Sequence, residues 1–143
     1  MYLEKITLPS VRSSVCQLIA AFSVALVFVA VAHAATPAQL LAAYSAQVGS
    51  AAVPERGQQL FTTRHGQEWS CSSCHGAVPT KVGKHASTGK AIGPMAPAFN
   101  AERFTDPAKV EKWFRRNCND VVGRECSAGE KADVISWLLT LKP

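Results

Sequence analysis

Five consecutive residues, Cys71-Ser72-Ser73-Cys74-His75, carry the densest chemistry in this chain. Two thiols three positions apart, followed at once by an imidazole, match the C-x-x-C-H pattern of covalent haem attachment. The chemistry explains the spacing. Each thiol adds across one of the two vinyl groups along one porphyrin edge. One helical turn separates the thiols, and the next residue sets an imidazole under the iron, so His75 is the expected proximal ligand. The expected cofactor is one haem c, bound through Cys71 and Cys74. Two other chemistries use such a pair. A thioredoxin-like dithiol expects a βαβ pattern, which is absent from the sequence. A zinc site would complete four ligands with His65 and His75, but it leaves residues 76–100 without a purpose. That segment has 25 residues, is rich in Gly, Pro and Lys, and shows no evident element. A long loop in a compact domain needs a reason, and a large ligand to wrap around supplies one.

Attachment requires export, and the N-terminus reads as an export signal. The 143 residues have a formal charge of +5, with 48% hydrophobic and 17% charged residues. The low charge is local, since residues 1–34 carry only Glu4, Lys5 and Arg12 as charges. Lys5 and Arg12 precede an uncharged run over 15–31, and Ala32-His33-Ala34 fits a small-x-small cleavage site. The expectation is a secretory signal over 1–34, cleaved before Ala35, and a single mature domain over 35–143. An uncleaved anchor is the alternative, because the run approaches the ~18 residues that can span a bilayer. Gln17, Ser23 and the alanine site speak against it. Either way the remainder faces an oxidising compartment, expected to be a bacterial periplasm. Cleavage removes Cys16 and Met1, so the mature chain keeps Cys71, Cys74, Cys118 and Cys126, with Met95 as its only methionine. This composition excludes a multi-pass membrane protein, a long disordered chain and a large two-domain enzyme. Nucleic acid is not an expected partner, since no recognition motif is present.

The elements that position the motif are helical. Thr36 caps a helix that starts at Pro37, runs through Leu40, Leu41, Tyr44 and Val48, and stops at Gly49. A second starts near Pro54 and carries Gly57, Leu60 and Phe61. A third starts at Thr105-Asp106-Pro107 and carries Val110, Trp113 and Phe114. The fourth opens with a capping box, Ser127-x-x-Glu130. Its apolar set is Val134, Ile135, Trp137, Leu138 and Leu141 at helical spacing. No stretch alternates long enough to argue a strand. The expected class is therefore all-α: a small cytochrome c-like helical domain wrapped around one covalent haem.

Glu55-Arg56-Gly57-Gln58-Gln59-Leu60-Phe61 before the motif and Ala132-Asp133-Val134-Ile135-Ser136-Trp137-Leu138 near the end resemble the terminal helices of class I cytochromes c. That resemblance implies two helices crossing closely at Gly57 and packing Phe61 and Trp137. Without it, these are core residues with one close backbone approach. A sharper resemblance covers the 104–120 segment, Phe104-Thr105-Asp106-Pro107 through Trp113-Phe114-Arg115-Arg116-Asn117-Cys118-Asn119-Asp120. With Gly123-Arg124-Glu125-Cys126, it is similar to the Sphaeroides haem protein family, small c-type cytochromes with one high-spin haem. It extends back through Phe61-Thr62-Thr63-Arg64-His65-Gly66. The resemblance implies an asparagine as sixth ligand in the oxidised protein, displaced on reduction or ligand binding so that oxygen or nitric oxide can bind. Asn117, just before Cys118 and 42 residues after His75, is the matching position. It also implies a cytochrome electron donor, a di-haem cytochrome c.

A neutral amide is a weak, hard donor that holds ferric iron and competes poorly for ferrous iron. Read without the family, Asn117 caps the C-terminus of the third helix. Asn119 is the reserve ligand. Met95, 20 residues after His75, would instead make a plain His/Met electron carrier. His65 and His85 are available but read first as solvated loop residues. Cys118 and Cys126, left after haem attachment in an oxidising compartment, are expected to pair. The staple either pins the backbone beside Asn117 or is purely structural. Arg115 and Arg116 can pair with haem propionates or simply end a solvated helix. Lys81, Lys84, His85 and Lys90 form a basic loop suited to an acidic redox partner. A third reading, an enzyme such as a nitric oxide dioxygenase or a reductase of small nitrogen compounds, uses the same open iron. No general acid–base pair stands out for it.

Overall fold

The computed structural model describes residues 34–143. The expected signal segment lies, except for Ala34, outside the described residues, as does Cys16. Among the described residues five helices dominate: the four expected from the sequence and a single turn over the haem motif. Helix α1 (Pro37–Val48) opens on a reciprocal cap: Gln39 N–H donates to the Thr36 hydroxyl at 3.1 Å and Thr36 N–H to the Gln39 amide at 2.8 Å. It closes on Gly49 at φ +65°. Helix α2 (Pro54–Thr62) begins on a proline, which lacks the N–H that a first turn leaves unpaired. The haem-motif residues form a single turn, α3 (Cys71–His75). Helix α4 (Pro107–Val122) is capped by Asp106, which accepts from Lys109 N–H at 3.0 Å. Helix α5 (Ala128–Thr140) carries the Ser127/Glu130 box.

One expectation needs correction. The 76–100 segment is not free of elements. Strands β1 (Gly83–Lys84) and β2 (Ala91–Ile92) pair antiparallel, and Pro97–Phe99 forms a 3₁₀ turn. Strands of two residues have no alternation to detect.

The core is the crossing of α2 over α5, with α1 laid along α5. It is filled by Leu40, Tyr44, Phe61, Ile135, Trp137 and Leu138. Gly57 makes the crossing possible. A Cβ there would sit 2.7 Å from Val134 N and closer still to the Asp133 carbonyl. The Phe61 and Trp137 rings meet at 5.1 Å. Buried Asp133 locks the crossing. Its carboxylate accepts from Val53 N–H at 2.6 Å and from the Arg56 guanidinium at 2.7 and 3.0 Å. The crossing inferred from the resemblance is thus present at the three named residues. Among the described residues, no helix is long and apolar enough to cross a membrane.

Acid should weaken the start of α5. Arg124 donates two hydrogen bonds to Glu130, at 2.7 and 2.8 Å, and Ser127 N–H donates a third at 2.8 Å. The Arg124 bonds above all hold the Glu130 carboxyl down at about 2. A carboxyl depressed in the fold stabilises it above the unfolded value of 4.5, and that contribution fades as pH falls from there toward 2. Allowing for solvent screening of a surface pair, the loss should be about 1 kcal/mol. Denaturant titrations at pH 6 and pH 2.5 should show it, and Glu130→Gln should remove it.

Candidate haem attachment site

Helix α3 is short and held from its first turn. The Ser73 hydroxyl accepts from Ser70 N–H at 3.0 Å, and Ser73 N–H donates to the Ser70 carbonyl at 3.1 Å. Ser70 is itself buried. The turn presents the sulfurs of Cys71 and Cys74 side by side, both residues partly buried. Before haem is attached, burial pushes the Cys71 thiol up to about 11. Ala86 N–H donates to Cys74 Sγ at 3.3 Å.

His75 follows on the same turn, its ring 6.1 Å from that of Phe61. It therefore rests on the α2–α5 crossing through one aromatic. Burial first, then the charges of Arg103 and His85, pull its pKa down to about 4. At neutral pH the imidazole is uncharged and has a lone pair to give a metal. Two thiols and a neutral imidazole on one helical turn fit a covalently attached iron porphyrin.

The segment after the motif packs behind it. A Cβ on Gly83 would sit 3.0 Å from His75 Cα and closer to the Cys74 carbonyl, so β1 lies against the back of α3. The Arg103 guanidinium donates to the Gly93 and Pro94 carbonyls, both at 2.7 Å. Met95 N–H donates to Pro79 O at 2.9 Å. The loop that leads into Met95 is thus fastened to Arg103 and to Pro79. Met95 is half-buried against the core.

Asn117 lies in the interior of α4. It shares a face with Val110, Phe114, Cys118 and Val121, which are buried or half-buried, and it is half-buried itself. Among the described residues its side chain has no hydrogen-bond partner. It does not cap the helix. Gly123, at φ +76°, does so, six residues later. The cap reading is therefore overturned: α4 runs one and a half turns further than an asparagine stop would allow. Asn119 is exposed, and its amide donates back to the Arg115 carbonyl at 2.7 Å. Cys118 and Cys126 are joined, with Sγ–Sγ 2.02 Å and Cα–Cα 5.7 Å. Arg115 and Arg116 are exposed, and the Arg116 guanidinium lies 5.7 Å over the Trp113 ring. Trp113 is 43% exposed beside Asn117. Phe114 packs edge-on to Tyr44 at 6.3 Å and against Phe104 at 6.5 Å.

The competing zinc and dithiol readings find no support in this geometry. His65 is bonded at 2.9 Å to the Leu60 carbonyl at the end of α2. His85 accepts from Thr88 N–H at 3.3 Å within its own loop. Among the described residues no three His, Cys, Asp or Glu side chains converge on a metal site, and the one sheet is the antiparallel β1–β2 pair.

Sequence reasoning missed Arg103, Gly83, and the group formed by Tyr44, Glu111 and Lys131. Lys131 was discoverable. It stands at helical spacing with Val134, Ile135 and Leu138 on the buried face of α5, where a lysine is an anomaly. Arg103 had no local signal, because its partners are backbone carbonyls nine and ten residues away. Phe104 beside it adopts φ +61°, a costly conformation for an aromatic, which turns the chain into α4.

Comparison with known proteins follows the same lines. Residues 47–138 match a family model described as a domain of unknown function, DUF1924. The chain is 50% identical over 113 residues to cytochrome c-type protein SHP of Cereibacter sphaeroides, covering 76% of this chain and 87% of that protein. The structure of oxidised SHP, described as an oxygen-binding cytochrome c, aligns with a TM-score of 0.71 and 48% identity. It covers 76% of this chain and 99% of that one. The solution structure of Methylophilus methylotrophus cytochrome c'', which addresses the structural basis of haem-ligand detachment, aligns with a TM-score of 0.67 and 36% identity. It covers 75% of this chain and 94% of that one.

Proposed function

This chain belongs to the sphaeroides haem protein family of c-type cytochromes and carries covalent haem c, and on that basis we propose that it is a periplasmic cytochrome whose sixth ligand, Asn117, is displaceable. Cys71 and Cys74 hold the porphyrin and His75 is the proximal ligand. When bound, the haem supplies an iron that exchanges one electron and accepts small diatomic molecules. The protein's part is to set what stands on either side of it. His75 is kept neutral by burial and fixed against Phe61. Asn117 offers a hard, uncharged oxygen or nitrogen that competes weakly for ferrous iron. Oxygen or nitric oxide would bind where it withdraws.

One observation carries the reading: Asn117 stands within α4 on its half-buried face, with no hydrogen-bond partner among the described residues. The amide is not sealed from solvent, so no protein bond has to break before it takes a metal, and water can hydrate it when it is released. The likenesses to an oxygen-binding cytochrome and to one studied for haem-ligand detachment point the same way. Asn119, bonded to its own helix, is the weaker candidate. Met95 is weaker still, because its backbone is bonded to Pro79 and the residues just before it to Arg103, which leaves that segment little freedom to approach or leave a metal.

Residues 1–34 act in this reading as the export signal, and the Cys118–Cys126 bond forms in the oxidising compartment. Electrons arrive from another cytochrome, a di-haem cytochrome c in this reading. The exposed cations Lys81, Lys84 and Lys90 near the motif would steer it. Arg115 and Arg116, exposed on α4, are the candidate partners of the haem propionates in this reading.

Carbon monoxide added to the dithionite-reduced protein tests the proposal. An immediate Soret shift is expected, in the wild type and equally in Met95→Leu. No shift, together with loss of a far-red sulfur-to-iron band in Met95→Leu, would establish the His/Met carrier instead.

A further inference from the structure

A charge pair between α4 and α5, with a buried lysine and a half-exposed carboxylate, stands out once the core is assigned. Lys131 is 7% exposed, and its Nζ lies 5.4 Å from the centre of the Tyr44 ring. Its partner is Glu111 on α4, whose other carboxylate oxygen accepts from the Tyr44 hydroxyl at 2.6 Å. An apolar side chain of similar length at position 131 would fill the space without desolvating an ammonium, so stability alone does not explain the pair. What such pairs can provide is one fixed register between elements.

Register matters here because α4 is held through side chains rather than by close backbone packing. It makes few close backbone approaches to the other helices. Besides the apolar packing of Val110, Phe114 and Val121, two specific ties secure it. Glu111 fastens its first half to α1 and α5, and the Cys118–Cys126 bond fastens its second half to the start of α5. Asn117 lies between them, six residues past Glu111 and one before Cys118. That is about 9 Å along the helix from Glu111.

We propose that Glu111, clamped between Tyr44 and Lys131, is a positioning residue that holds α4 in register and thereby restrains the exchange of Asn117 for an outside ligand. This rests on Asn117 being the sixth ligand. Cutting the clamp frees the first half of α4, so Asn117 leaves more readily and external ligands enter faster.

The test uses the ferric holoprotein with imidazole as the entering ligand. Lys131→Met removes the buried cation without leaving a charge unpaired in the core, so it folds even if Glu111→Gln does not. Amide hydrogen exchange over residues 107–116 should rise in Lys131→Met while α2 and α5 stay protected. Imidazole binding should quicken about two- to thirtyfold, the range that such couplings span. Adding Lys131→Met to Asn117→Ala should then change the rate no further. A purely structural role would accelerate both backgrounds alike, and that result would overturn the inference. So would a wild-type rate in Lys131→Met when Asn117→Ala is fast. A wild-type rate in Asn117→Ala itself would instead overturn the ligand reading.

Discussion

Gly57→Ala should cost about 3 kcal/mol or more, beyond the usual range for a surface change. The added methyl would meet backbone, the Asp133 carbonyl and Val134 N, which cannot rotate away as a side chain would. Helix α2 would have to lift off α5 along the crossing. That would strain the Asp133 bonds to Val53 and Arg56 and open the contact between Phe61 and Trp137. His75 leans on Phe61, so the damage reaches the site. In a domain of about 110 residues the thermal midpoint should fall by at least ~10 °C. A fall of only two or three degrees would mean that the crossing can relax and that Gly57 is not its hinge point.

Asn117→Ala has the largest expected effect on ligand binding. An internal ligand that fills the site nine-tenths of the time lowers the apparent affinity of any competitor about tenfold. Removing the amide should therefore strengthen imidazole binding to the ferric protein by about tenfold or more. Little folding stability should be lost, because the side chain has no hydrogen-bond partner among the described residues to forfeit. Asn119→Ala is the matched control. Its amide is exposed and bonded to the Arg115 carbonyl, so it should leave the affinity unchanged. Equal strengthening by both variants would move the role away from position 117.

The haem motif and the helices were legible in the sequence because their signals are local. A pentapeptide, capping residues such as Thr36, Asp106 and Ser127, and the apolar spacing of α5 each announce themselves within a turn or two. Gly57 was legible only through resemblance. A glycine in a helix does not say which backbone passes beside it. What was illegible is non-local. Arg103 acts through carbonyls in a loop, and Glu111 meets Tyr44 and Lys131 across 67 and 20 residues. Asn117 shows how far local reasoning goes. Helix chemistry alone made it a terminal cap, whereas α4 continues to Gly123 because Cys118, Val121 and the disulfide give its last turns something to pack on.

Absorption spectra of the purified protein, ferric and then ferrous, examine the displaceable ligand without any variant, because spin state reports the sixth position. A displaceable Asn117 predicts a high-spin ferrous spectrum, with one broad visible band and no far-red sulfur band in the ferric state. Sharp, split visible bands in the ferrous protein, with a far-red band in the ferric one, would contradict it and put Met95 on the iron.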